Sequence, residues 1–224
     1  MIPAMVFAAG LGTRMQPLTD TRPKAMIPVA GRPLIDHALD QIQGAGPVVV
    51  NAHAHADQLK AHLAGRLIHL VEEQPTPLET GGGLKNALPN LGPDPVLTMN
   101  ADAVWTGPRA IDTLRAAWDP TRMDGLLLII PQERTVGHGG GSFRADVAGR
   151  LRIDKTGLAY TGAGIVKTDH LARITETAFS LWRLWTPMLE SGTLHGVEHP
   201  GHWADVGRPT GIALAEEMLA ETAR

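Results

Sequence analysis

The chain has no cysteine in its 224 residues. That excludes disulfides and thiolate metal centres and suits a reducing compartment. Small aromatics are scarce, with one tyrosine and three phenylalanines beside five tryptophans. An aromatic cage for a quaternary ammonium would have to lean on tryptophan. There is no excess of positive charge, since 20 Lys and Arg face 23 Asp and Glu for a formal net charge of −3. No basic field therefore advertises a nucleic-acid partner. No apolar stretch is long enough to span a bilayer. The run at the N-terminus has no basic region before it and is too short for a signal peptide. These absences predict a cytoplasmic protein that engages neither nucleic acid nor membrane. The ten histidines are scattered. His53 and His55 flank Ala54 without an obvious third ligand, and they read as surface or helix-start residues. The length suits one large α/β domain over residues 1–224. Monomer and homodimer both stay open.

What the sequence does have is concentrated between Met5 and Pro33. A short apolar run, Met5–Ala9, reads as a buried strand. It enters the turn Gly10-Leu11-Gly12-Thr13-Arg14. Glycines at a strand end let backbone N–H groups come close to a phosphate chain, because no Cβ intervenes. Arg14 and Lys24 add two cations to the same region. The segment reads as an anion site for a nucleoside triphosphate. It is not a dinucleotide fingerprint, because Met15 stands where a third glycine belongs and Pro17 follows. Nor is it a P-loop, because Thr13-Arg14 follows Gly12 instead of Lys-Ser/Thr.

Beyond it, strand-like and helix-like segments alternate. Helical stripes are read over Leu34–Ile42, Asp57–Leu63, Asn86–Leu91, Ala110–Trp118, Phe179–Leu189 and Ala213–Ala223. Strands are read at Val48–Val50, Leu67–Val71, Val96–Met99, Gly125–Ile130 and Gly162–Val166. The unbroken apolarity of Gly125–Ile130 suits a strand covered on both faces. The pattern predicts a three-layer α/β/α fold with a mostly parallel central sheet. Between Gly137 and Tyr160 the texture changes, and a hairpin read around Ala148-Gly149 makes residues 137–160 a small β subdomain. Trp182 and Trp185 read as packing residues.

The segments AAGLGTRMQPLT and RPKAMIPVAGRPLIDH closely resemble the N-terminal motif of the sugar-1-phosphate nucleotidyltransferases. That resemblance implies a Rossmann-like nucleotidyltransferase fold. It also implies transfer of a nucleotidyl group from a nucleoside triphosphate to a sugar 1-phosphate, with release of pyrophosphate. It places Ala9, Gly10, Gly12, Thr13 and Arg14 around the nucleotide and Lys24 at the α-phosphate, which makes Arg14 and Lys24 the catalytic cations.

Two carboxylates follow apolar or tryptophan-bearing segments, Asp102 in Asn100-Ala101-Asp102 and Asp205 in Trp203-Ala204-Asp205-Val206-Gly207. Each alone is an ordinary turn aspartate. Together with a phosphate loop they suit Mg²⁺, which takes one or two carboxylates plus phosphate oxygens, and the resemblance implies the same pair. Base recognition is expected from the loop Glu73–Gly83. There Gln74 can both donate and accept, and Gly81 lets the backbone approach a flat ring, with Thr80 between them. The form Pro-Leu-Glu-Thr-Gly-Gly-Gly is most similar to the small uridylyltransferases acting on N-acetylmuramate 1-phosphate, which implies UTP as donor. The Glu-Lys-Pro triplet that many members use for the sugar is missing. Asn100, Gly141, Asp154, Thr161 and Gly162 are the sugar-contacting candidates in its place. A hexose 1-phosphate acceptor, phosphocholine with CTP, and a non-catalytic nucleotide sensor are the competing expectations.

Overall fold

The computed structural model describes residues 1–92 and 94–222. The strands run β1 (Ala4–Phe7), β2 (Pro28–Val29), β3 (Arg32–Pro33), β4 (Val48–Ala52), β5 (Ile68–Glu72), β6 (Val96–Asn100) and β7 (Ala103–Trp105). They continue as β8 (Gly125–Ile130), β9 (Thr135–Val136), β10 (Phe143–Ala145), β11 (Leu151–Ile153), β12 (Ala159–Val166), β13 (Leu194–Glu198) and β14 (Trp203–Asp205). The helices are α1 (Leu34–Gln41), α2 (Ala56–Leu63), α3 (Glu79–Leu91), α4 (Ala110–Ala117), α5 (Trp182–Ser191) and α6 (Thr210–Thr222). Ala223, expected inside the last helix, lies outside the described residues.

Seven strands form the central sheet in the order β13-β8-β12-β6-β1-β4-β5. Only β12 runs against its neighbours, pairing antiparallel with both β6 and β8. The mostly parallel sheet expected from the alternating pattern is therefore present. Period-2 alternation decides the layering. Ala4 and Val6 of β1 face one side, where Ile35 and Ala38 of α1, Leu59 of α2 and Ile111 and Leu114 of α4 pack. Met5 faces the other side, against Leu84 and Ala87 of α3 and Leu184 and Met188 of α5. All six residues of β8 are buried, as its uniform apolarity requires. A third apolar cluster joins Ala215 and Met218 of α6 to Val104, Ala204 and Val206. It holds the small sheet β7-β14-β9 in place. Strands β10 and β11 form the antiparallel hairpin, with Phe143 opposite Ile153. Phe143 and Leu151 anchor it on the α3–α5 face. Among the described residues no helix is long and apolar enough to cross a membrane.

Strands β7, β9, β13 and β14 are not among those read from the sequence, and one helix departs from its expected bounds. Helix α3 begins at Glu79 and not near Asn86, so Gly81, Gly82 and Gly83 are helical. Glycine is a poor helix former, and close packing overrides propensity here. A Cβ at Gly81 would lie 2.5 Å from the Phe179 ring, and one at Gly83 would lie 2.7 Å from Glu73 Oε1.

Candidate active site

In open α/β sheets the usable crevice lies beyond the carboxyl ends of the strands. Here four adjacent parallel strands end together. A cavity of about 200 Å³ is lined by Ala8, Ala9 and Gly10 after β1, Asn51 of β4, Glu73 after β5, and Asn100, Ala101 and Asp102 from the end of β6. Lys24 closes it from the proline-punctuated segment, and Pro77, Glu79 and Thr80 close it from the approach to α3.

A buried polar network fixes this floor. Asn51 is 3% exposed and Glu73 is 1% exposed. The Ala8 amide donates to Asn51 Oδ1 at 2.7 Å. Asn51 Nδ2 donates to Glu73 Oε1 at 2.7 Å, and the Leu78 amide donates to Glu73 Oε2 at 2.7 Å. A buried carboxylate is tolerated only when so partnered. The chain Ala8–Asn51–Glu73–Leu78 thus ties the glycine turn to the loop before α3. Just beyond, Glu79 sits at φ +58 on the cavity wall. That left-handed geometry is uncommon for a residue with a side chain.

The glycine turn is built as its composition requires. Gly12 has φ +64, and a Cβ there would lie 2.8 Å from Thr19 Cγ2 and 3.1 Å from Lys24 Cβ. Gly10 has nothing within 4 Å of a Cβ position and leaves its side of the cavity open. Thr13 and Arg14 follow in an exposed 3₁₀ turn anchored by buried Met15.

The segments carrying the two aspartates expected to bind metal are joined through the backbone. Strand β14 pairs with β7 so that Asp205 stands opposite Ala103, and the Val206 amide donates to the Asp102 carbonyl at 2.9 Å. Each carboxylate faces a basic group. Lys24 Nζ lies 2.6 Å from Asp102 Oδ2, and His138 Nδ1 lies 3.4 Å from Asp205 Oδ2. A Cβ at Gly207 would lie 3.0 Å from Asp205 Oδ1 and 3.5 Å from an Arg14 guanidinium nitrogen, so glycine there leaves both groups room. Among the described residues no cluster of three or more His, Asp or Glu has metal-binding geometry. A pair of hard oxygen donors suits Mg²⁺ when phosphates and water complete the shell.

A second cavity, of about 210 Å³, shares Thr80 and Asn100 with the first and is otherwise lined by Ser142, Phe143, Tyr160, Ser180, Leu181, Trp182 and Trp185. Burial pushes the Tyr160 phenol well above its ordinary value, against a nearby Thr98 hydroxyl, and keeps it neutral. Trp182 and Trp185, read from sequence as packing residues, therefore also form a cavity wall.

Of the residues expected around the nucleotide, Ala9, Gly10, Lys24 and Thr80 line the first cavity. Gln74 and Gly81 lie outside that lining. Gln74 is exposed and donates to Glu72 Oε1 at 2.7 Å, so its buried neighbour Glu73 takes the cavity position. Gly81 gives its amide to the Phe179 carbonyl at 2.8 Å, and the side where a Cβ would stand is covered by the Phe179 ring. Among the sugar candidates, Asn100 lines both cavities. The other four line neither cavity. Thr161 is buried and donates to the Leu128 carbonyl at 2.7 Å. Asp154 accepts from the Thr156 amide at 3.0 Å and from Arg144 Nε at 2.9 Å, capping its own hairpin. Gly141 crosses tightly over Gly157, and Gly162, at φ +85, packs on the Asn100 side chain. Asn51 and Glu73 line the first cavity and are not among the expected residues. The strand-end rule that located Asp102 finds both when applied to β4 and β5.

The family model described as a MobA-like NTP transferase domain matches residues 4–203. The chain is 42% identical to an N-acetylmuramate alpha-1-phosphate uridylyltransferase of Caulobacter vibrioides, across 97% of each chain. It is 32% identical to a protein of the same name from Neisseria meningitidis serogroup B, across 96% of this chain and 97% of that one. Among solved structures, HddC of Yersinia pseudotuberculosis complexed with GMP-PN superposes with a TM-score of 0.79 at 20% identity, covering 98% of this chain and all of that one. The inositol-1-phosphate CTP transferase of T. maritima superposes with a TM-score of 0.77 at 15% identity, covering 97% and 96%. At those identities the likeness speaks for the fold.

Proposed function

The chain belongs to the MobA-like NTP transferase domain family, and from that premise we propose that it transfers UMP from UTP to N-acetylmuramate 1-phosphate and releases pyrophosphate. The printed activity of the two relatives supports this choice of donor and acceptor. The observation that carries it is the Lys24–Asp102 pair, 2.6 Å apart, beside Asn100, where two cavities meet. One cavity takes the nucleotide and the other the acceptor, so the reacting phosphates meet at a lysine and a carboxylate.

In the reaction a sugar-phosphate oxygen forms a bond to the α-phosphorus of UTP. The bond from that phosphorus to the bridging oxygen breaks, and pyrophosphate leaves in line. Little covalent work falls to the protein, which positions the reactants and stabilises charge. The Lys24 ammonium meets charge building on the α-phosphate. Arg14, on the exposed turn, steadies the departing pyrophosphate. No general base is needed, because the attacking phosphate monoester is already ionised at neutral pH. Asp102 and Asp205 would hold Mg²⁺, which when bound supplies positive charge against the crowded phosphates. Pro77, Glu79 and Thr80 form the wall against the base, held there by the Glu73–Leu78 bond.

A second reading has one observation in its favour. The wall of Phe143, Tyr160, Trp182 and Trp185 resembles a cage for a quaternary ammonium, which would make phosphocholine the acceptor and CTP the donor. One experiment separates the two. Pyrophosphate release is measured with each of the four nucleoside triphosphates crossed against N-acetylmuramate, N-acetylglucosamine, glucose and mannose 1-phosphates, and phosphocholine. The proposal requires UTP with N-acetylmuramate 1-phosphate to be the fastest pair. Faster turnover of CTP with phosphocholine would replace it.

A further inference from the structure

The second cavity has an unusual wall. Trp182, the first residue of α5, is 40% exposed, whereas Trp185 one turn later is 4% exposed. The Trp182 indole stacks on the buried Phe143 ring at 5.6 Å between centroids and 28° between planes. It meets Trp185 edge-on at 5.4 Å and 73°. Two buried aromatics therefore brace it, and the surface left over borders the cavity.

Its position relative to the nucleotide cavity is also fixed. The Gly81 and Gly82 amides donate to the Phe179 carbonyl at 2.8 and 2.9 Å, and the Phe179 amide donates to the Leu78 carbonyl at 3.1 Å. The Leu181 amide donates to Thr80 Oγ1 at 3.0 Å. The start of α5 thus hangs on the same 78–82 segment that walls the nucleotide. Sites held by such supporting bonds keep their geometry.

The cavity lining carries no charged side chain. Besides the aromatics and Leu181 it offers the hydroxyls of Thr80, Ser142 and Ser180 and the Asn100 amide. Such a surface suits a neutral ring with one apolar face and a rim of hydroxyl and amide groups. It offers no counter-ion to a carboxylate.

We propose that Trp182 is an acceptor-binding residue, an indole platform on which the pyranose ring and acetyl methyl of an N-acetylated sugar phosphate stack. The inference rests on the nucleotidyltransferase reading above. It adds that acceptor recognition in this cavity is by stacking and hydroxyl contacts, with any acidic substituent of the sugar lying outside it.

The test uses the whole chain as wild type, Trp182→Ala and Trp182→Phe, at saturating UTP. Initial rates are taken against N-acetylmuramate 1-phosphate, and N-acetylglucosamine 1-phosphate is tested as substrate or as competitive inhibitor. Trp182→Ala should raise the acceptor KM tenfold or more and weaken both sugars alike. The KM for UTP should stay within twofold and the unfolding midpoint within a few degrees. Trp182→Phe should regain most of the affinity. An unchanged acceptor KM in Trp182→Ala, an equal rise in the KM for UTP, or a loss confined to the muramyl sugar would overturn the assignment. A wild-type protein that turns over no sugar phosphate would overturn the functional reading itself, and that outcome is visible before any variant is made.

Discussion

Asn51→Leu isolates the network under the nucleotide cavity. Leucine shares the branching of asparagine but is bulkier, so the substitution removes two hydrogen bonds and adds some overpacking at a buried site. It strands the Ala8 amide and Glu73 Oε1, both of which Asn51 partners at 2.7 Å. Neither recovers water easily, since Ala8 is 8% and Glu73 1% exposed. A buried polar group left unpaired costs about 1–3 kcal/mol, so two of them cost roughly 3 kcal/mol or more. For a chain of this length each kcal/mol moves Tm by roughly 2–4 °C. The expected fall is therefore about 6–12 °C by calorimetry, with a matching drop in urea midpoint. Function should follow, because the same carboxylate holds the Leu78 amide and with it the wall at Pro77–Thr80. The KM for UTP should rise several-fold while that for the acceptor changes less. A variant that unfolds within a degree or two of wild type and binds UTP normally would refute the reasoning.

Other consequences are checked as simply. Lys24→Ala should lower kcat by roughly a hundredfold or more if the ammonium stabilises transferring charge, and steady-state kinetics on the purified variant decides it. Asp102→Asn and Asp205→Asn should each abolish Mg²⁺-dependent turnover while leaving thermal unfolding within a few degrees; a dispensable carboxylate would break the pair. His199 gives a pH signature. Burial, aided by the nearby Arg134 and His202 charges, holds its imidazole below its ordinary pKa of 6.5 despite the bond to the Thr106 carbonyl. The unfolded chain then binds a proton that the folded chain resists, so stability is full above pH 6.5 and falls below it. Tm should drop between pH 7.5 and 5.5, and His199→Gln should flatten that drop. Parallel curves for the two proteins would remove His199 as its source.

Much of this was legible because it rests on local rules. The run Met5–Ala9, the stripe Leu34–Ile42 and the uniformly apolar Gly125–Ile130 each carry their own period, and the sheet follows from their alternation. The glycine turn and Asp102 could be placed at the crevice because they follow strand ends, whereas Lys24 and Asp205 were pointed to by the resemblance. What was not legible involved contacts distant in sequence. Nothing near Gly81–Gly83 announces a helix; the three glycines there are explained by Phe179, the Thr177 carbonyl and Glu73 pressing on the backbone. Gln74 and Glu73 differ by one residue, and which side chain turns inward is decided by Asn51 on the neighbouring strand. Asp154 and Thr161 have the chemistry of sugar ligands. Arg144 and Thr156 engage the first and the Leu128 carbonyl the second. Trp182 and Trp185 read as core because helical spacing cannot reveal a cavity on one side of a buried stripe.

The most direct measurement is the identity of the product. Purified protein is incubated with UTP, N-acetylmuramate 1-phosphate and Mg²⁺, and the mixture is resolved by mass spectrometry. UDP-N-acetylmuramate and pyrophosphate should appear in equal amounts, with neither formed when the sugar phosphate is withheld. Absence of the UDP-sugar, with UTP intact or merely hydrolysed, would contradict the account.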